Sequence, residues 1–202
     1  MVFPANQAVL LTGASVGIGR EMALKLADGR RRGARLALAA RDAAKLEEVA
    51  ALCRAAGAEA VVLPTDVSIE SDCERAVART VAAFGGLDTL LLNAGQDMGV
   101  RLDELEDSSV LERIMRVNYL GPAWMTRFAL PHLKSRRGRI IVVSSLAGLT
   151  GVPTRAGYAA SKHALHGFFD SLRIELAGTG VSVTLACPDF VKSEIHRRAL
   201  GA

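Results

Sequence analysis

The chain has 202 residues, half of them apolar, and its 25 basic and 21 acidic side chains give a formal net charge of +4. That length suits one domain around one sizeable core, and the apolar share excludes general disorder. So mild a charge, with aromatics at 4% and none interleaved with a basic tract, excludes a nucleic-acid platform built on base stacking.

Three cysteines, Cys53, Cys73 and Cys187, show no metal-ligand spacing; a sparse, odd count points to free thiols in a reducing compartment. Residues 1–7 are too short, and interrupted by Pro4, to be a signal peptide. No apolar run approaches the ~20 residues of a membrane helix, so the expected setting is the cytoplasm. The basic clusters at 30–32 and 134–139 fall where helices should end, where cations complement the helix dipole.

Residues 8–12 form a short apolar run, as in a buried parallel strand. Gly13-Ala-Ser15-Val-Gly17-Ile18-Gly19 follows at once, and helical periodicity over 20–29 comes next. Strand, glycine turn and helix together make an anion site: backbone N–H groups and the helix dipole face it, and glycines let a diphosphate approach the backbone. The spacing is G-x3-G-x-G, not the usual G-x-G-x-x-G; the alternative is a tight turn without a ligand. A second strand is expected over 34–40, then Arg41 and an Ala-rich amphipathic helix over 42–56. In dinucleotide folds an acid near this point suits ribose hydroxyls and an arginine suits a 2′-phosphate. Ala40 stands where the acid would be, so Arg41 favours phosphate unless it is a solvated helix-start arginine.

A third strand is expected over 59–63, with Ser68 as N-cap of a helix reaching Phe84. Asp66 is either turn chemistry or an acceptor for an adenine amino group. A fourth strand, 87–92, ends in Asn93-Ala94-Gly95, and 96–106 reads as a polar loop. One long helix is expected over 107–134, with Pro122 near its middle; Pro122 would free the carbonyl of Asn118 to bind water, or merely kink the helix. Strand five, 139–144, carries Ser144 and Ser145 at its end; a Gly/Pro/Thr-rich loop follows, and then a helix to about residue 177. Strand six is 181–186, followed by Cys187-Pro188-Asp189. The four histidines make no ligand set and read as surface or core residues.

Tyr158 and Lys162 stand at i and i+4, on one face of that sixth helix. A phenol is a poor proton donor near neutrality, and a nearby ammonium would lower its pKa, at ~1.4 kcal/mol per unit. Ser145 could hold a carbonyl oxygen while the phenol exchanges a proton with it. Alone, such a pair reads mostly as a solvated helix face. Six β/α alternations argue for an α/β fold: a doubly wound parallel sheet, order 3-2-1-4-5-6, with its ligand beyond the strands' carboxyl ends. Every motif falls there.

With Thr12-Gly13-x-x-x-Gly17-Ile18-Gly19, Asp66-Val67, Asn93-Ala94-Gly95, Asn118, Ser145, Tyr158-x-x-x-Lys162 and Pro188 in this order, the chain resembles the short-chain dehydrogenase/reductase family over nearly its whole length. The resemblance implies a single NAD(P)-binding Rossmann domain over 1–202 and hydride transfer between NADP(H) and a carbonyl or secondary alcohol. It implies Gly13, Ser15, Gly17, Ile18 and Gly19 under the diphosphate, and Asp66 and Val67 at the adenine. It also puts Asn93, Ala94 and Gly95 in the cofactor floor, and Pro188, Val191 and Ser193 near the nicotinamide amide. Arg41 would be the NADP-preferring basic residue. Tyr158 would be the general acid and base, Lys162 its cation and ribose ligand, Ser145 the substrate-orienting hydroxyl, and Asn118 the holder of a relay water. A homodimer or homotetramer through the helices of Asn118 and Tyr158 is expected, with no nucleic-acid or membrane partner.

Three departures stand out: Asp189 where the family usually has glycine, Ser193 where it often has threonine, and an end at Ala202 where members usually continue with another strand and helix. They motivate an alternative, an NADP(H)-binding regulatory or scaffold homologue with little catalysis. A hydrophobic substrate is expected from the apolar loop over 146–156.

Overall fold

The computed structural model describes residues 6–28, 33–189, 191 and 199–201. The basic cluster at 30–32, Ser193 and His196 therefore lie outside the described residues.

Six strands form one parallel sheet in the order β3-β2-β1-β4-β5-β6, the expected Rossmann order. They are β1 (Ala8–Thr12), β2 (Arg35–Ala40), β3 (Glu59–Pro64), β4 (Thr89–Leu92), β5 (Arg139–Val143) and β6 (Ser182–Ala186). Each is four to six residues long, and each boundary falls within two residues of its expected place. Consecutive side chains leave a strand on opposite faces, and the packing follows that period. Ala8 and Leu10 of β1, Ala37 and Ala39 of β2, and Leu90 and Leu92 of β4 meet one layer of helices. Val9 and Leu11, Leu36 and Leu38, and Leu91 meet the other.

The first layer comprises α3 (Glu70–Phe84), α5 (Gly121–Arg136) and α6 (Ala156–Glu175); the second comprises α1 (Gly17–Ala27) and α2 (Ala43–Ala55). Buried apolar strands covered on both faces are what an all-parallel sheet requires. Cys53 and Cys73 are fully buried among these apolar side chains, and burial pushes the Cys73 thiol up to about 12, so both act as small hydrophobes.

Two helices differ from expectation. Ser68 does not cap α3: its N–H and hydroxyl both donate to Asp66 Oδ1, at 2.9 and 2.7 Å, in a turn, and the helix starts at Glu70 after Ile69. The single helix expected over 107–134 is three pieces: α4 (Ser109–Met115), a π-helical turn (Arg116–Leu120) and α5. Pro122, with no N–H to give, sits in the first turn of α5, where none is needed. The chain absorbs it upstream by widening: Gly121 N–H donates to Arg116 O, five residues back. Gly121 itself is required by contact, since a Cβ there would stand 2.5 Å from Val67 O. The sequence reading did not single out Pro131, which α5 accommodates in its interior.

Phe169 is fully buried in the first layer, edge-on to Phe168 at 5.0 Å. Phe169→Ala is expected to cost about 3–5 kcal/mol, read as a lower urea midpoint at unchanged slope. A loss under ~1 kcal/mol would contradict a close-packed core at this point.

Candidate active site

The site lies where the sheet reverses direction, beyond the ends of β1 and β4. Buried Thr12 closes β1: its hydroxyl accepts from the N–H groups of Asn93 (2.9 Å) and Ala94 (3.1 Å), just past β4. The Asn93 amide returns two bonds, to Thr12 O (3.1 Å) and Gly13 O (3.2 Å). Gly13 has a left-handed φ of 68°, and a Cβ there would meet Asn93 at 2.8 Å. At Gly19 a Cβ would stand 2.0 Å from Gly13 O. Side chains are thus excluded on both sides of the turn, leaving a backbone-lined hollow at the start of α1. That helix has no side-chain cap and no acid in its first turn, so its leading N–H groups face the hollow unclaimed by a neighbouring carboxylate and suit an anion.

The hollow continues into a cleft of about 530 Å³, within the range of small-molecule sites. Of the expected cofactor residues, Gly13, Ser15, Gly17, Ile18, Arg41, Asp66, Val67, Asn93, Ala94, Gly95, Pro188 and Val191 line it. Gly19 acts from behind, through Gly13. Arg41 is exposed at one end, and Lys45, one helical turn on, lines the same wall, a second cation that the sequence reading missed. Asp42 between them caps α2, accepting from Lys45 N–H at 3.1 Å; that backbone bond holds its carboxyl below the usual range. Asp66 spends Oδ1 on Ser68 and still lines the cleft, so its turn role and an adenine role are compatible. Asp189 also lines the cleft.

At the other end, Ser145, Tyr158 and Lys162 converge on the same cleft. Ser145 follows β5, accepts from Ala147 N–H at 3.2 Å, and shares a hydrogen bond with the Tyr158 hydroxyl. Lys162, one turn after Tyr158 on α6, is buried and donates from Nζ to Val143 O at 3.1 Å. Its Nζ stands 5.7 Å from the Tyr158 ring centre.

In this arrangement burial, not a neighbouring charge, is the largest influence on the phenol. Burial raises the Tyr158 pKa above its ordinary 10.0; the Ser145 bond and Arg155 oppose it, and Asp97 adds to it. The lysine charge is directed at the Val143 carbonyl, and burial lowers Lys162 itself to about 8, against the attraction of Asp97.

Asn118 is fully buried and lies behind the cleft. Its Oδ1 accepts from Gln96 N–H at 2.8 Å, and its Nδ2 donates to Gln96 O and Ser161 Oγ, each at 2.9 Å. A Cβ on Gly95 would stand 3.4 Å from Asn118 Oδ1 and 3.8 Å from Lys162 Nζ, which shows how close the three lie. His166, one turn past Lys162, holds Ser144 Oγ at 3.0 Å, a contact beyond its expected reading as a surface or core residue.

A parallel sheet of this order, with a glycine-lined anion hollow at its switch point, defines a dinucleotide-binding Rossmann fold. The sequence model of the short chain dehydrogenases matches residues 7–200, and the chain belongs to that family, a class of nicotinamide-dependent oxidoreductases. Its curated relatives include "11-beta-hydroxysteroid dehydrogenase A" of Sesamum indicum, 42% identical over 192 residues, covering 95% of this chain and 54% of the relative. Another is "11-beta-hydroxysteroid dehydrogenase-like 4A" of Arabidopsis thaliana, 42% identical over 189 residues, covering 93% of this chain and 62% of the relative. The chain thus spans little more than half the length of these relatives. Among solved structures, a short chain dehydrogenase/reductase from Burkholderia phymatum in complex with NAD superposes with a TM-score of 0.91 at 32% identity, covering 98% of this chain and 70% of that one. An alcohol dehydrogenase from Thermococcus sibiricus complexed with 5-hydroxy-NADP gives 0.88 at 29%, covering 97% and 81%.

The lowered Lys162 pKa has a measurable sign. Between about 8 and 10.5 the unfolded chain holds a proton on this lysine that the folded chain has released, so its contribution to stability rises with pH. The ligand-free parent should therefore gain stability relative to Lys162→Met between about pH 7 and about pH 9.5, by urea unfolding. A pH-independent difference would contradict this.

Proposed function

We propose that this chain carries the catalytic domain of an NADP(H)-dependent oxidoreductase acting on a ketone or secondary alcohol. The observation that carries the reading is the convergence of Ser145, Tyr158 and Lys162 on the same cleft as the glycine turn. A cradle that a Cβ would fill, and a helix start free of acids, fit a dinucleotide diphosphate. When bound, the nicotinamide supplies or accepts the hydride.

The chain's own residues do the rest. Ser145 donates to the substrate oxygen and orients it. Tyr158 gives that oxygen a proton in reduction and takes it in oxidation. Lys162 binds the ribose and, when protonated, favours the phenolate; Asn118 holds the loop at Gln96 against α6 and supports a relay water. Gly13, Ser15, Gly17 and Ile18 take the diphosphate, Asp66 and Val67 the adenine, Asn93 to Gly95 the floor, and Pro188 and Val191 the nicotinamide side.

Arg41 takes the 2′-phosphate, because Ala40 stands where an acid would select ribose hydroxyls; Lys45, paired with Asp42 at 3.5 Å, adds a further cation to the same wall. The related structures carry an NAD and an NADP derivative, so the preference rests on this chain's own residues. The substrate is bulky and apolar: Leu146, Ala147 and Val152 line its end of the cleft, and the curated relatives are named for hydroxysteroids. The working unit is a homodimer or homotetramer through α4–α5 and α6. A second reading, cofactor binding without robust turnover, draws on the acid Asp189 in the cleft wall.

Tyr158→Phe should retain NADPH binding and lose turnover by about 10²-fold or more; substantial residual turnover would defeat the assignment. NADPH binding by the parent with no turnover over a panel of ketones would favour the second reading. Arg41→Asp should shift the NADPH-to-NADH ratio of kcat/KM toward NADH by about 10- to 100-fold, the worth of one charge-assisted bond. An unchanged ratio would remove Arg41 from the account.

A further inference from the structure

The loop after β4 carries a buried acid that the reaction scheme above does not use. Asp97 is 1% exposed. A carboxylate so far from water persists only with partners. Its Oδ1 accepts from Met98 N–H at 2.9 Å, and its Oδ2 stands 3.0 Å from Arg155 Nη1. Arg155 is the residue on which α6 begins, three before Tyr158, and its side chain, 21% exposed, lines the cleft.

We propose that Asp97 is a positioning residue: its carboxylate clamps the Arg155 guanidinium at the head of α6 and balances the charge that faces the Tyr158 hydroxyl. The proposal rests on reading Tyr158 as the proton-exchanging group.

The clamp joins parts already held on both sides. Gln96, just before Asp97, is pinned twice by Asn118, and Met98, just after it, packs with Tyr158. Leu200 N–H donates to Asp97 O at 2.9 Å and Gly99 N–H to Leu200 O at 3.2 Å, so residues 97–99 are also paired with Leu200. A loop so fixed cannot follow a moving guanidinium; the ion pair instead fixes Arg155, and with it the first turn of α6.

The groups facing Tyr158 among the described residues come from four directions. Ser145 comes from the end of β5, Arg155 and Lys162 from α6, and Asp97 from the loop after β4. The α4 face packed against it, Val110 and Ile114, is apolar. Lys162 in turn faces Asp97 and Cys187. Of the two clamped charges, Asp97 disfavours the phenolate and Arg155 favours it, so removing either one should move the phenol in opposite directions. A clamp that served only to hold the fold would change melting without that opposition.

The chain has two tyrosines, Tyr119 and Tyr158, so tyrosinate absorbance can be titrated directly, with Tyr158→Phe identifying the Tyr158 component. Asp97→Asn, which keeps the shape and removes the charge, should lower the Tyr158 midpoint by roughly one pH unit. Arg155→Gln should raise it, and the double variant should return near the parent. Thermal melting of each variant is followed alongside. An Asp97→Asn protein that folds with an unmoved midpoint, or two single variants that shift the same way, would overturn the proposal. Where Asp97→Asn does not fold, Arg155→Gln decides, and an unmoved midpoint there overturns it. The titration needs no turnover. Turnover lost in Tyr158→Phe with no shift in the charge variants would therefore sink the clamp and keep the reading, whereas residual turnover in Tyr158→Phe would sink the reading itself.

Discussion

The hydroxyl of Thr12 is the tie on which the site is built. It closes β1 and takes the two N–H groups that follow β4, the two strands at which the sheet changes direction. A parallel sheet leaves a crevice at such a point, and bonds across the crevice decide its width. Asn93 sends its amide to the Thr12 and Gly13 carbonyls, holding the glycine turn against the next strand. From Asn93 the chain runs through Gly95 to Gln96, which Asn118 grips, and Asn118 reaches Ser161 on α6. An unbroken series of bonds and short backbone steps therefore leads from the first strand to the helix that bears Tyr158 and Lys162. Thr12 and Asn118 are buried, so breaking their bonds would leave buried polar groups unsatisfied.

The electrostatics of the cleft follow from burial. A phenol and an ammonium side by side are out of water before any ligand arrives, so both are pushed toward their neutral forms. Lys162 spends a bond on the Val143 carbonyl, and Tyr158 spends one on Ser145. In this state burial favours the protonated phenol. At the far end Arg41 and Lys45 stand exposed or half-buried, so their charges stay hydrated before any ligand arrives, and Lys45 is paired with Asp42. The division puts a buried phenol and lysine at one end of the cleft and solvated cations at the other.

Strand order and layers were legible in the sequence because the apolar runs are short, buried and separated by helical periodicity, and because the glycines fall directly after strands. Ser145, Tyr158 and Lys162 were legible because a strand end and an i, i+4 pair have fixed directions. The helix around Pro122 was legible only as a kink: the proline marks the place, but not that a π turn takes it up. Ser68 looked like a cap because serine before a helix usually is one, whereas here Asp66 claims its hydroxyl. Lys45 was readable in principle, four residues after Arg41 in the first turn of α2. Asp97 and Arg155 carried no signal, being 58 residues apart along the chain and related only by the fold. Sequence spacing places a charge near Tyr158 but does not show the burial of the phenol, which raises its pKa.

The most direct test of the account is the structure of this chain crystallised with NADP(H). The account predicts the diphosphate on the backbone between Gly13 and Gly19, the 2′-phosphate against Arg41, and the nicotinamide beside the Tyr158 hydroxyl and the Lys162 ammonium. A dinucleotide bound with its nicotinamide turned away from Tyr158, or seated outside the cleft at the switch point, would contradict it.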